Sequence, residues 1–294
     1  MKYALYLGCT IPSRMNHYDA STRRVAEGLG IELVDLEGAG CCGPVFVRSI
    51  NRATYVAMAA RNLALAERMG LDVVTLCNGC FGALVEARHV LKEDERLRVE
   101  VNGILKEEGL EFKGSSSVKH FVQVLYHDYG LSKIKSRVVN PFRGLKTAVH
   151  YGCHVLRPSE ITKFDRAEDP SLLDRLVEVT GTKSVNWLLK TMCCGAPTLA
   201  ASEETALQLV KMKLDSAKKA GADCMVTICP FCEVMFDTQQ LKIAFETGQS
   251  YDLPALFYPQ LLGLSMGLKP DDVGLGMNRI PAEKVLDFLS KKEG

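Results

Sequence analysis

The feature that most constrains this chain is a cysteine pattern that occurs twice. Cys9, Cys41-Cys42 and Cys77-Asn-Gly-Cys80 recur as Cys153, Cys193-Cys194 and Cys229-Pro-Phe-Cys232. The adjacent pair and the following Cys-x2-Cys pair are separated by 34 residues in both sets, and the preceding gaps are 31 and 39 residues. The flanks repeat as well, since Leu5-Tyr-Leu-Gly-Cys9 echoes Val149-His-Tyr-Gly-Cys153, and Gly43 and Gly195 follow the two adjacent pairs. Gln123, Leu125, Gly130 and Leu131 return at a constant offset as Gln260, Leu262, Gly267 and Leu268. A repeat this long is a duplication, so the two halves must fold around similar elements.

Each half alternates short β-rich runs with helical ones. Lys2 to Leu7, Glu32 to Leu36 and Val73 to Leu76 read as buried strands, matched by Lys146 to Tyr151, Ser184 to Leu188 and Cys224 to Ile228. Arg52 to Met69 and Glu203 to Lys219 carry helical spacing, with Gly70 and Gly221 placed to end them in a left-handed turn. Ser202 predicts an N-cap, with Glu203 and Glu204 in the first turn and Lys218 and Lys219 in the last. Strands alternating with helices predict an α/β fold of parallel, Rossmann-like units with right-handed crossovers. Every cysteine group then follows a strand, at the sheet edge where such folds bind ligands. Ser136 to Gly144, containing Asn140-Pro141, predicts a boundary that divides the chain into residues 1–143 and 144–294.

The 294 residues suffice for two cores. Apolar residues make up 47% and charged ones 24%, and 36 Lys and Arg nearly balance 35 Asp and Glu, which gives no basis for a nucleic-acid surface. The chain opens on a strand-like run rather than a secretory leader, which predicts a cytoplasmic protein. Leu253 to Leu268 is the longest uncharged stretch, but it is too short for a membrane span and reads as core or as a partner-binding face around Phe257 to Leu268.

Eleven cysteines in a reducing compartment call for ligation rather than disulfides. Five per half is one more than tetrahedral zinc or an ordinary cubane cluster needs. Adjacent cysteines diverge from one backbone and suit neighbouring irons better than one ion. The pattern therefore favours a multinuclear iron site, with structural zinc and disulfides as weaker alternatives. Gly38-Ala-Gly40-Cys-Cys-Gly43 also satisfies G-x-G-x-x-G, but the second half has Lys190-Thr-Met192 in its place, so the nucleotide reading fails the repeat. Cys224 has no counterpart and reads as a buried structural thiol.

Cys, Cys-Cys-Gly and Cys-x2-Cys, twice over nearly the full length, resemble the CCG-domain proteins. Gly8-Cys-Thr-Ile-Pro12, Tyr18, Arg24, Cys41-Cys-Gly-Pro44 and Gly152-Cys-His-Val-Leu-Arg-Pro158 are similar to the B subunits of CoB-CoM heterodisulfide reductases within that family. The resemblance implies two homologous CCG domains, each holding one non-cubane [4Fe-4S] cluster. It assigns Cys9, Cys41, Cys42, Cys77 and Cys80 to one and Cys153, Cys193, Cys194, Cys229 and Cys232 to the other. It also implies cleavage of a small-molecule mixed disulfide between the clusters, and docking to a ferredoxin-like iron-sulfur subunit and a flavin-containing one.

An anionic substrate of that kind needs cations beside the cysteines, and the candidates are Arg14, Arg23, Arg24, Arg48, Arg157 and Lys163. Several of these would be solvated helix residues on ordinary grounds. His154 is a candidate proton donor to the leaving thiolate, or else a hydrogen-bond donor to cluster sulfur. His17 is a weaker candidate, and His89, His120, His127 and His150 read as structural or exposed. Two rival readings stay open: an electron-transfer module of a quinone-linked or hydroxyacid oxidoreductase, and an interaction protein with structural zinc.

Overall fold

The computed structural model describes residues 1–43 and 45–289; Pro44 and residues 290–294 lie outside the described residues. In the first half β1 (Lys2–Tyr6), β2 (Glu32–Asp35), β3 (Val73–Thr75) and β4 (Val118–His120) form one parallel sheet in the order β2-β1-β3-β4. In the second, β5 (Lys146–Val149), β6 (Lys183–Ser184), β7 (Cys224–Thr227) and β8 (Ala255–Phe257) repeat it as β6-β5-β7-β8, again all parallel. The fold is therefore α/β and Rossmann-like in both halves. The order reverses direction between β1 and β3, and between β5 and β7, and each reversal opens a crevice at the carboxyl ends of those strands.

β3 and β7 are buried at every residue, as expected for central strands covered on both faces. Alternation along β1 sends Ala4 and Tyr6 to one face and Tyr3 and Leu5 to the other. Each of these faces belongs to a core drawn from both halves. Ala4 and Tyr6 share a cluster with Ala148, Trp187 and Met225, while Tyr3 and Leu5 share the other with Val149, Tyr151 and Val226. Tyr18 stacks on Phe257 with ring centroids 3.7 Å apart at 7°, which joins the halves directly.

The long helices occupy Arg52–Met69 and Glu203–Lys219, as their spacing predicts. The Ser202 side chain accepts the Thr205 N–H at 3.3 Å, and Asn51 does the same for Thr54 at 2.9 Å at the head of the corresponding helix in the first half. Gly70 closes the first helix at φ 65°, a left-handed backbone that a side chain would strain.

Two strands escape a reading of the sequence, β4 and β8, each only three residues long. Each leads straight into a turn in which a repeated glutamine reaches back. Gln123 Oε1 accepts the His120 N–H at 2.9 Å and Gln260 Oε1 accepts the Phe257 N–H at 3.0 Å, which accounts for the constant-offset pair. β6 is shorter than Ser184 to Leu188 suggests. Val185 N still bonds Thr147 O, but Trp187 then turns its Nε1 to Val149 O and Leu188 lies exposed on the way to Cys193. The segment around Phe257 to Leu268 is core rather than a docking face, since the helix Tyr258–Ser265 is buried at every residue. Between the halves, the N–H groups of Val139 and Asn140 both bond Ser265 O, and Phe142 N bonds Thr180 O.

Ser202→Ala and Asn51→Ala should each cost about 1 kcal/mol, read as a melting temperature lower by roughly 2–4 °C. Burial pushes the imidazoles of His17 and His120 down to about 4, with Arg279 assisting at His17. The unfolded chain, titrating near 6.5, then binds more protons than the folded one between those values, so stability falls as pH drops from about 6.5 to about 4. His17→Phe, placed beside Phe257, removes one such group. Its melting temperature should therefore vary less between pH 7 and pH 5 than that of the wild type.

Candidate metal centre

Cys9 follows β1, Cys41-Cys42 follow β2, and Cys77 follows β3 at the head of the helix Asn78–Glu93. In the second half Cys153, Cys193-Cys194 and Cys229 follow β5, β6 and β7 in the same way. Cys9 with Cys77, and Cys153 with Cys229, thus flank the two crevices left by the strand order. The residue before each leading cysteine is a glycine at positive φ, Gly8 at 68° and Gly152 at 79°. A Cβ on Gly8 would stand 2.7 Å from Cys80 Sγ, and one on Gly152 would stand 3.5 Å from Cys232 Sγ and 2.8 Å from Asn78 Nδ2. These glycines leave room for the facing sulfurs.

All eleven cysteines are free thiols, and Cys42, Cys77, Cys80, Cys194, Cys229 and Cys232 are buried. Cys42 Sγ lies 3.5 Å from Cys80 Sγ. The two sets meet at the Cys-x2-Cys turns, where Cys77 Sγ lies 4.0 Å from Cys229 Sγ.

Thiols packed this closely cannot all ionise together. Cys42 is pulled down to about 4 by hydrogen bonds from Cys41 and Cys80, and Cys229 is held low by Cys232 and Cys77. Their neighbours Cys41, Cys77, Cys80, Cys153 and Cys232 are pushed up, first by the hydrogen bonds they give to adjacent sulfurs and then by burial. Positive charge delivered to the site would let all of them ionise, which is what bound metal does to thiol ligands. Among the described residues no three His, Cys, Asp or Glu side chains close around one point at single-ion spacing. This donor set is soft, sulfur-only and longer than one tetrahedral ion uses, and it fits iron-sulfur chemistry better than zinc.

The cysteine turns of the second half are pinned by residues of the first. Asn78 Nδ2 donates to Tyr151 O at 2.7 Å, two residues before Cys153. Tyr18 Oη donates to Ile228 O at 3.1 Å, and His120 Nε2 lies 3.1 Å from the same carbonyl. A carbonyl only accepts, so His120 carries its proton on Nε2, leaving Nδ1 to accept from Val122 N–H at 3.4 Å. His120 is structural, as the sequence suggests. His17 and His150 are buried and His89 and His127 are exposed.

The loops that carry the adjacent cysteines are held from behind by a pair of cations that the cysteine pattern does not point to. Arg61 donates to Gly38 O at 2.7 Å, and its neighbour Asn62 takes the Gly40 N–H at 2.9 Å. At the equivalent place Lys213, fully buried, donates to Leu189 O and to Met192 O at 2.9 Å. The duplication offset relates the two residues, so the signal was present in the repeat. Tyr6 Oη adds a bond to Gly40 O at 2.8 Å.

The candidate substrate cations differ in how far they are already committed. Arg23 is paired with Asp19 and Asp35, Arg24 with Glu27, and Arg48 with Glu86 at 3.1 Å. Arg157 donates to Thr191 O at 3.2 Å and Ala167 O at 3.4 Å, bracing the approach to Cys193. The side chains of Arg14 and Lys163 are exposed and unpaired among the described residues. His154 is half-buried against Gly82 of the first half, where a Cβ would stand 3.7 Å from its Nδ1. Phe231, half-exposed between Cys229 and Cys232, occupies the position that Gly79 holds in the other half. Cys224 is buried in β7 against Thr147, and burial raises its thiol to about 12.

The family described as "Cysteine-rich domain", CCG, matches residues 3–85 and 147–237. The chain is 41% identical to the B subunit of the ferredoxin:CoB-CoM heterodisulfide reductase of Methanosarcina mazei, over 99% of this chain and 96% of that protein. It is 36% identical to a protein of Archaeoglobus profundus named for its likeness to the heterodisulfide reductase B subunit, over 97% of each. It is also 31% identical to the 8-methylmenaquinol:fumarate reductase membrane anchor subunit of Wolinella succinogenes, over 97% of this chain and 99% of that one. Among solved structures, a hypothetical protein from Helicobacter pylori shares the fold with a TM-score of 0.75 at 17% identity, covering 96% of this chain and 52% of that one. With the cysteine pattern matched in both halves and relatives aligned from end to end, this chain belongs to the cysteine-rich CCG family and is a homologue of the heterodisulfide reductase B subunits.

Proposed function

We propose that this chain is the disulfide-reducing subunit of a heterodisulfide reductase, cleaving the CoM-S-S-CoB mixed disulfide to the coenzyme M and coenzyme B thiols in methanogenesis. Two non-cubane [4Fe-4S] clusters are assigned to it, one on Cys9, Cys41, Cys42, Cys77 and Cys80 and one on Cys153, Cys193, Cys194, Cys229 and Cys232. The observation that carries the reading is the 4.0 Å approach of Cys77 Sγ to Cys229 Sγ, which brings the two sets to one place. Opening a disulfide to two thiols takes two electrons and two protons. When bound, iron-sulfur clusters supply electrons one at a time, so a pair of them matches that demand.

The chain's own residues supply the rest. His154, half-buried and directly following Cys153, donates a proton to a leaving thiolate. Arg14 and Lys163 are the cations free to meet the anionic groups of the substrate, whereas Arg23, Arg24 and Arg48 are already neutralised by carboxylates. Arg157 keeps the Cys193 loop in place through its carbonyl bonds. Electrons reach the chain from a ferredoxin-like subunit, itself fed by a flavin-containing one, in a cytoplasmic complex. Among the described residues no helix is long and apolar enough to cross a membrane.

The similarity to the Wolinella succinogenes protein favours a second reading, an iron-sulfur electron-transfer subunit of a quinone-linked oxidoreductase. The two are separated by purifying the chain anaerobically with its partners, measuring iron and zinc, and following thiol release from the mixed disulfide with a reduced dye. Iron with thiol release is expected. Iron without it supports the electron-transfer reading, and zinc without iron removes both. Cys9→Ala and Cys153→Ala should each lower turnover by about a hundredfold or more, and full activity in both would contradict the two-centre proposal. His154→Gln should lower kcat by roughly 10²-fold while leaving KM near the wild-type value.

A further inference from the structure

The cations behind the two cysteine loops do the same mechanical work in different electrostatic settings. Arg61 holds Gly38 O, but its side chain is 28% exposed and its guanidinium pairs with Glu108 at 2.7 Å, so its charge is offset and screened. Lys213 holds Leu189 O and Met192 O with no exposure at all. Its ammonium lies 5.1 Å from the centroid of the Trp187 ring, and it pairs with no carboxylate among the described residues. Burial lowers it to about 8, which leaves it mostly protonated at neutral pH. Met192, whose carbonyl it holds at 2.9 Å, directly precedes Cys193-Cys194 of the second cysteine set.

We infer that Lys213 is a positioning residue that selectively raises the reduction potential of the C-terminal iron-sulfur centre, a tuning that Arg61 does not exert on the N-terminal one. The inference rests on the iron-sulfur reading above. Reduction adds one electron, and so one negative charge, to a centre. A buried positive charge without a counter-ion stabilises that product, whereas a neutralised ion pair has nearly no net charge to offer. Both side chains fix the backbone of the cysteine loop, so the difference between the halves lies in charge and not in anchoring.

The test is a potentiometric titration of the anaerobically purified full-length chain, followed by paramagnetic resonance and visible absorbance. The signal lost in Cys194→Ser identifies the C-terminal centre. At the wild-type midpoint of that centre, Lys213→Met should lower its reduced-to-oxidised ratio by about tenfold and leave the other centre unmoved. Lys213→Arg, which keeps the charge, should restore the ratio, and Arg61→Met should shift neither centre by more than about twofold. An iron-replete Lys213→Met protein in which neither centre moves, or in which both move alike, overturns the inference. Should that variant fail to load iron, Lys213→Gln decides, since it keeps a donor for the loop carbonyls without the charge: it should lower the C-terminal ratio by about tenfold, and no change there overturns the inference. A wild-type chain without iron would instead refute the underlying cluster assignment, an outcome distinct from either.

Discussion

The site depends on one contact, the approach of two Cys-x2-Cys turns from opposite halves of the chain. Cys77 and Cys229 each sit at the carboxyl end of a central buried strand, and their sulfurs come within 4.0 Å. Parallel strands deliver every loop of one kind to the same sheet edge, so once these two ends face each other the remaining cysteines follow. Of the adjacent pair Cys41-Cys42, the second member closes on the same turn, with Cys42 Sγ 3.5 Å from Cys80 Sγ. A donor set assembled this way has the same chemistry in both halves, yet its members come from segments far apart in the chain.

What keeps the turns facing each other is a core that ignores the boundary between the halves. The two faces of β1 enter different clusters, and each cluster contains strand residues from the other sheet. Tyr18 ties this packing to the site, with its ring stacked on Phe257 and its hydroxyl bonded to the carbonyl next to Cys229. Asn78 makes the parallel link to Tyr151, beside Gly152 and Cys153. Polar groups of one half therefore satisfy buried carbonyls of the other, and separating the halves would leave those carbonyls unpaired in apolar surroundings.

Duplication made the two cysteine sets alike in sulfur and unlike in surroundings. Gly79 corresponds to Phe231 across the repeat, and Arg61 with its carboxylate partner corresponds to Lys213 with none among the described residues. Of the six cations close to the cysteines in sequence, three are held by carboxylates and one by carbonyls, and Arg14 and Lys163 stay exposed and unpaired among the described residues. Proximity in sequence could not show which charges were already spent.

The amino-acid sequence alone determined the repeat, the alternation of strand and helix, the long helices with the Ser202 cap and Gly70 stop, and the placement of every cysteine group after a strand. These are written in local spacing, in β-rich runs and in capping residues within a few positions of each other, so they can be read without knowing the rest of the molecule. The strands β4 and β8 were not legible, because Val118-Lys-His120 forms no apolar run and Ala255-Leu-Phe257 is lost inside a longer apolar stretch, and that stretch, leading into Tyr258–Ser265, gave no sign of whether it would face solvent or core. Only the tertiary structure decided that the two cysteine sets adjoin, that both cores are shared, and that Lys213 is buried without a counter-ion among the described residues. Burial and charge compensation depend on side chains that separate segments bring together, as Arg61 meets Glu108 47 residues on, and that meeting is set by packing.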